Sequence, residues 1–256
     1  MNSLKNKLIM KDVVLGTMIS EVSNPNIVRM MKQAGFGFII VDCEHGYFDF
    51  PQLAAIASVG NGFQMPVLVR VPAIDRGFIT KALDMSCDGL LVPMVNTAEE
   101  AQHIVDYAKY LPLGRRGIST TRAHADYNPP VLAEYVRTAN DRTIVFVQLE
   151  TRIAINNARE IAEIDGIDAL IIGPNDLAAD MGTPGCLDTL EMEEAINSVI
   201  IAAKNVGKPC GIVASKIPFL KKWEKAGMSI FSCNSETGMI MESAKNIVKT
   251  FTVSNN

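Results

Sequence analysis

The chain has 256 residues, 48 % of them apolar, and a formal net charge of −4 at neutral pH. That length admits one large α/β domain, and the apolar content excludes an intrinsically disordered chain. The mild acidity, with no basic run, gives no footing for a nucleic-acid or anionic-membrane surface, so the expected partner is a small molecule. No stretch reaches the ~20 apolar residues of a membrane span. The polar residues 1–12 have no apolar run behind them, and a soluble cytoplasmic protein is expected. The cysteines, Cys43, Cys87, Cys186, Cys210 and Cys233, are scattered with no CxxC pair. They read as reduced thiols, not as a disulfide framework or a zinc ribbon.

In chain order, short runs rich in Val, Ile and Leu alternate with longer amphipathic stretches. The runs at 15–20, 38–44, 66–71, 89–94, 144–150, 169–173, 210–214 and 229–234 are apolar for most of their length. That is the pattern of strands buried on both faces. Helices are predicted over 25–34, 50–59, 97–110, 154–161 and 190–205, and Gly35, Gly207 and Gly227 stand where a helix ends in the left-handed conformation. Strand–helix repeats at eight places in a chain of this length predict one (β/α)₈ barrel over residues 1–256. No GxGxxG follows the first run, which counts against a dinucleotide-binding sheet. The stretch 112–140 is rich in turn residues and arginine and is expected to lie over the mouth of the barrel.

Chemistry in a parallel barrel sits at the carboxyl ends of the strands. The second run ends in VDCEHG, placing Asp42, Glu44 and His45 there; the third carries Arg70; the fifth ends with Gln148 and Glu150; the sixth leads into Asn175 and Asp176. Glu150 and Asp176 end neighbouring predicted strands, and two such carboxylates suit a cation of the Mg²⁺, Mn²⁺ or Co²⁺ type with positions open to substrate and water. Each could instead cap the helix that follows it. Arg70, inside an apolar strand, needs an anion, either a structural carboxylate or a substrate carboxylate that its fork would grip. His45 is a structural histidine or a base. His103 reads as a surface residue, His124 as solvated, and Asp84 as a surface helix charge.

At these residues the sequence resembles the HpcH/HpaI family of class II pyruvate aldolases. The likeness is carried by VDCEHG, VLVRVP, GLLVPMVNTAEEA, GRRGIS, VQLET and IIGPNDLAADMG, nearly end to end. The resemblance implies a metal-dependent aldolase acting on 2-oxo acids, commonly a hexamer. It implies His45 as the base and Arg70 as the group stabilising negative charge on the pyruvyl oxygen. Glu150 and Asp176 would hold the metal, while Gln148 and the backbone of Gly173, Pro174 and Asn175 would contact substrate. It also matches Asp84 to an aspartate that raises the basicity of the histidine, within or across a subunit boundary. No predicted strand offers a lysine at its carboxyl end, in keeping with a mechanism that needs no Schiff base.

Two stretches depart from the family pattern: Tyr47 and Phe48 in CEHGYFDF, and the tail FSCNSETG. The polar SCNSE segment suits a tricarboxylate, which keeps open a relative's chemistry, a citrate synthase-like condensation of an acetyl thioester with oxaloacetate in siderophore assembly. A non-catalytic binding barrel is the reading from another class, and it would not require His45, Arg70, Glu150 and Asp176 to converge.

Overall fold

In a computed structural model that describes residues 3–128 and 131–253, eight parallel strands close into a barrel. They are β1 (Val14–Ile19), β2 (Phe38–Asp42), β3 (Val67–Arg70), β4 (Gly89–Val92), β5 (Ile144–Leu149), β6 (Ala169–Ile172), β7 (Cys210–Ala214) and β8 (Ile230–Ser235). Each pairs with its sequence neighbour, and β8 closes the ring on β1 with Val14 opposite Ile230 and Leu15 opposite Phe231. The described helices are α1 (Ser3–Met10), α2 (Ile27–Ala34), α3 (Phe50–Phe63), α4 (Arg76–Asp84), α5 (Ala98–Ala108) and α6 (Leu132–Arg142). They continue with α7 (Arg152–Asn156), α8 (Ala158–Glu163), α9 (Pro174–Asp180), α10 (Leu190–Asn205), α11 (Ile217–Ala226) and α12 (Glu236–Val253).

Alternation along the strands divides the core in two. Val14, Met18, Phe38, Ile40, Leu68, Leu91, Phe146 and Ile171 fill the barrel interior. Their neighbours Ile19, Ile39, Val41, Val69, Val147 and Ile172 point outward and pack under the helices. Strands buried on both faces therefore read as continuous apolar runs. The amino-terminal residues, read from sequence only as polar, form α1, whose Leu4 and Leu8 join the interior cluster. Lys5 pairs with Asp168 beside β6, so α1 closes the pole where the strands begin.

Helix ends follow local chemistry. Asp49 and Thr97 cap α3 and α5 with reciprocal bonds to Gln52 and Glu100. Gly35 and Gly227 end α2 and α11 with φ of 98° and 111°. Gly207 lies one residue beyond Val206, the cap of α10. The predicted helix over 154–161 is broken at Asn157 into α7 and α8.

One placement is corrected. The stretch 112–140 leaves from the end of α5 and leads into β5, so it connects helix to strand at the pole opposite the mouth. Its described residues lie along α4, where Arg116 bonds Asp84 at 2.6 Å and His124 Nε2 stands 3.3 Å from the same carboxylate. His124 is accordingly 4 % exposed, its ring tilted 33° against that of Tyr135, and not solvated. The sequence shows turn residues there but not from which end of the barrel they depart.

Candidate active site

Strands β1 to β6 stop one or two residues short of the predicted runs, where the chain turns toward the mouth, while β7 ends with its run and β8 continues one residue beyond. Asp42 and Arg70 are the final residues of β2 and β3 and stand opposite each other in register. Glu44, His45, Glu150 and Gly173 follow their strands as loop residues, and Asp176 lies in the first turn of α9.

Asp42 and Arg70 form the buried centre of this rim. Arg70 Nε donates to Asp42 Oδ1 at 2.9 Å and Nη2 to Oδ2 at 2.7 Å, while Nη1 stands 3.2 Å from Glu44 Oε2. Asp42 Oδ1 also accepts the backbone N–H groups of Glu44 and His45. Burial alone would raise the Asp42 pKa, but the Arg70 bond and charge and these two amides outweigh it, leaving a carboxyl held below its ordinary value. Arg70 is pushed up, its burial overcome by Asp42, Glu44 and Glu150. Of the two anions that the sequence left open for Arg70, the structure supplies a structural carboxylate. The fork is spent on Asp42, since a guanidinium in an apolar strand must be paired before any ligand arrives. Nη1 is left to Glu44.

Glu150 is 2 % exposed and held from two directions: Oε1 accepts Gln148 Nε2 at 2.6 Å and Oε2 accepts the Met94 N–H at 3.0 Å. Met94 reaches it with the backbone in the left-handed region, φ 54°. Burial lifts the Glu150 pKa to about 7; the Met94 amide and Arg70 lower it, while the negative charges of Asp176 and Glu44 add to the rise. Glu44 is raised as well, first by burial, with Arg70 opposing. The helix after β5 is capped by the Thr151 side chain, which accepts the Ala154 N–H. Gly173, not Asp176, is the N-cap of α9. Neither candidate carboxylate serves as the cap that the sequence left open.

Three features fit a divalent cation at Glu150 and Asp176. The donors are oxygens, as hard cations require. The Asp176 charge adds to the rise of the Glu150 pKa, and a positive charge placed beside Glu150 would offset that rise. Gly173 leaves space beside the pair: a Cβ there would stand 2.1 Å from Glu150 Oε1 and 2.6 Å from Gln148 Nε2. Among the described residues no group of three or more His, Cys, Asp or Glu side chains could hold a metal. A cation held here would draw on Glu150 and Asp176, with water or substrate completing its shell. Gln148 adds a buried amide oxygen, Oε1, without a hydrogen-bond partner.

His45 reaches the same mouth with its side chain 69 % exposed and Nε2 4.0 Å from Glu44 Oε2. Pro174 is buried, while Asn175 and Asp176 are exposed on the opening turn of α9. Asp84 is not brought to His45. It ends α4, at the pole where strands begin, and is held there by Arg116 and His124. It is half-buried rather than a free surface charge; burial raises its pKa, but the two partners outweigh that and hold it low. His103 is exposed on α5, stacked on Tyr107.

The tail segment is held largely by its own chain. Glu236 is buried and accepts the amides of Ser20, Glu21 and Val22; Asn234 Oδ1 accepts the Ser235 N–H; Ser235 Oγ bonds Thr237 and the Gly238 N–H. These groups bond within the protein, whereas Ser232 Oγ of the same segment is buried without a hydrogen-bond partner. A surface groove of about 860 Å³ lies at the other pole against Asn61, Ser86, Asp88, Arg142 and Thr143. Convergence of polar strand ends, not groove size, identifies the site.

A parallel barrel whose mouth gathers paired carboxylates, a neutralised arginine and an open histidine defines an enzyme of the α/β-barrel class. The HpcH/HpaI aldolase/citrate lyase family model matches residues 17–242, and the chain belongs to that family. It is similar to the hydroxypyruvate/pyruvate aldolase of Roseovarius nubinhibens, 31 % identical over 95 % of this chain and 94 % of that one. It is also similar to the 4-hydroxy-2-oxo-heptane-1,7-dioate aldolase of Salmonella paratyphi C, 33 % identical over 92 % and 89 %. The crystal structure of an HpcH/HpaI aldolase from Desulfitobacterium hafniense superposes with a TM-score of 0.93 at 32 % identity, covering 97 % of this chain and 96 % of that one. The chain is therefore an enzyme of the aldolase/lyase type.

Asp42 and Glu44 are placed at the mouth by sequence but given no role, and the Met94 amide and Glu236 are not singled out from it. Asp42 and Glu44 lay in view within VDCEHG, and the need of Arg70 for a partner could have selected them. The role of the Met94 amide depends on one backbone dihedral and leaves no side-chain signal.

Proposed function

We propose that this aldolase is divalent-metal-dependent and acts at the carbon next to a pyruvate-like 2-oxo acid. It would cleave a 4-hydroxy-2-oxo acid to pyruvate and an aldehyde, or run the reverse condensation. The observation that carries this reading is the convergence of Glu150, Asp176, Arg70 and His45 on one mouth, and aldolase relatives matching nearly the whole chain support it.

Glu150 and Asp176 are the residues to hold Mg²⁺, Mn²⁺ or Co²⁺, which when bound supplies Lewis-acid polarisation of the substrate oxo group. Arg70, already oriented by Asp42, faces the negative charge developing on the pyruvyl oxygen and need not reorganise as that charge forms. The free Gln148 Oε1 accepts a hydrogen bond from substrate, and Gly173, Pro174 and Asn175 line the same wall. His45 exchanges a proton with the acceptor oxygen, its imidazole open to solvent and substrate. Asp84 lies at the far pole of its own chain, so any influence on His45 comes from a neighbouring subunit.

Self-association, as a hexamer, fits the last helix. Residues 240–252 of α12 are exposed and carry an apolar stripe, Ile240, Ala244, Ile247, Val248 and Phe251, at helical spacing. The wall of the barrel near its base leaves Leu15 of β1 40 % exposed. A second copy of the chain is the partner that offers a matching helix. The reduced thiols of Cys43, Cys87, Cys210 and Cys233 suit the cytoplasm.

The test is turnover on a panel of 2-oxo acids with aldehydes, before and after rigorous metal removal, beside Glu150→Gln and Asp176→Asn. Activity that requires a divalent cation and falls in both variants is expected. Full activity in metal-free protein would refute the metal role, and no turnover on any 2-oxo acid pair would refute the substrate class.

A further inference from the structure

Glu236 is a carboxylate with 1 % exposure and, among the described residues, no ion pair to a cation. Its charge is met by backbone alone. Oε1 accepts the N–H groups of Ser20, Glu21 and Val22 at 2.8, 2.7 and 2.9 Å, and Oε2 accepts Ser20 again at 2.8 Å. Successive amides converging in this way make an anion nest. Here the anion comes from residue 236, the first of α12, more than 200 positions along the chain. The three amides belong to the turn that leaves β1 at the mouth.

That turn touches the loop bearing His45. A Cβ at Gly46 would stand 2.7 Å from the Ser20 carbonyl oxygen and 2.2 Å from that of Asp42. The two backbones meet so closely that only glycine fits between them. His45 is therefore held from one side by its N–H to Asp42 Oδ1 at 3.2 Å, and from the other through Gly46 by Ser20. Its imidazole is mostly exposed and has little packing of its own, so its place is set by this backbone.

We infer that Glu236 is a positioning residue for His45: by gripping the amides of Ser20, Glu21 and Val22 it presses the Ser20 carbonyl against Gly46 and fixes where the histidine stands. The inference rests on His45 acting in catalysis, and the experiment separates the two. It is a double-mutant cycle of Glu236→Ala with His45→Ala, read as kcat on the 2-oxo acid and aldehyde pair the enzyme turns over best. Displacement of a catalytic group by about 1 Å costs on the order of 10²-fold. Glu236→Ala should thus lower kcat by ~10- to 10²-fold with His45 present and by less than ~2-fold in the His45→Ala background. Glu236→Gln keeps one acceptor oxygen and should fall between wild type and alanine; it serves if the alanine protein does not fold. Added formate, filling the vacated nest, should restore part of the lost kcat in Glu236→Ala. Independently of activity, the His45 imidazole NMR resonances should shift in either variant.

Equal losses in both backgrounds, or unmoved His45 resonances, would overturn the positioning role while leaving His45 catalytic. Unchanged kcat in both Glu236 variants would do the same. Full turnover by His45→Ala alone would overturn the catalytic role of the histidine and this inference with it.

Discussion

Removing divalent cations should make the stability of the protein depend on pH through Glu150. This carboxyl is 2 % exposed and its pKa is raised by burial to about 7, from an ordinary value of 4.5. A folded-state pKa above the unfolded one means that the folded protein holds the proton more tightly. The stabilisation is complete below about 4.5 and is lost as pH rises through about 7. Integrated from pH 5 to pH 8, that loss is about 2–3 kcal/mol. The assay is urea denaturation of chelator-treated protein at fixed concentration across that range, for wild type and Glu150→Gln. Subtracting the two curves removes other groups that titrate there, such as Asp88, lifted by burial to about 6. The glutamine cannot ionise, so the variant should lack this part of the slope. Saturating Mg²⁺ should flatten the wild-type curve most strongly at pH 8, because a cation stabilises the ionised form that burial disfavours. Parallel curves for the two proteins would refute the claim that Glu150 is a strained carboxyl waiting for positive charge.

Arg70→Lys keeps a charge but loses the two-point grip on Asp42, so turnover should fall at least ~10²-fold in protein that remains folded by circular dichroism. Gly173→Ala puts a methyl where Glu150 Oε1 and Gln148 Nε2 now lie, and calorimetric titration should show metal affinity falling ~10- to 10²-fold. His45→Ala should leave that affinity intact and slow the full aldol step more than exchange of the pyruvate methyl protons, followed by NMR. Ile247→Asp together with Phe251→Asp places charge on the exposed stripe of α12 and should shift sedimentation toward smaller species.

What the sequence determined is periodic or local. Strands buried on both faces are apolar at most positions, so runs such as 144–150 and 210–214 announced themselves, and the barrel followed from their number and spacing. Polar residues ending those runs had to lie at the mouth, because a parallel barrel puts every strand end on one face. That reasoning brought His45, Arg70, Gln148, Glu150 and Asp176 into view from order alone. It reached no further than each residue's own neighbourhood. That Arg70 is bound to Asp42 depends on the register of β2 against β3, and one step of slip would part them. The Glu150 carboxyl is held by an amide 56 positions away whose direction is set by the dihedral at Met94. Only the family resemblance couples Asp84 to His45, and α4 carries the aspartate to the other pole of its own chain. The segment 112–140 is misread for the same reason: composition marks a loop but not the end of the barrel it leaves from. The nest filled by Glu236 joins the two ends of the chain, and only closure of β8 onto β1 brings them together. Hydrophobic period is written in the chain because each residue meets solvent or core by itself. Pairing between distant groups is decided only when the ring closes, because it is a property of two positions at once.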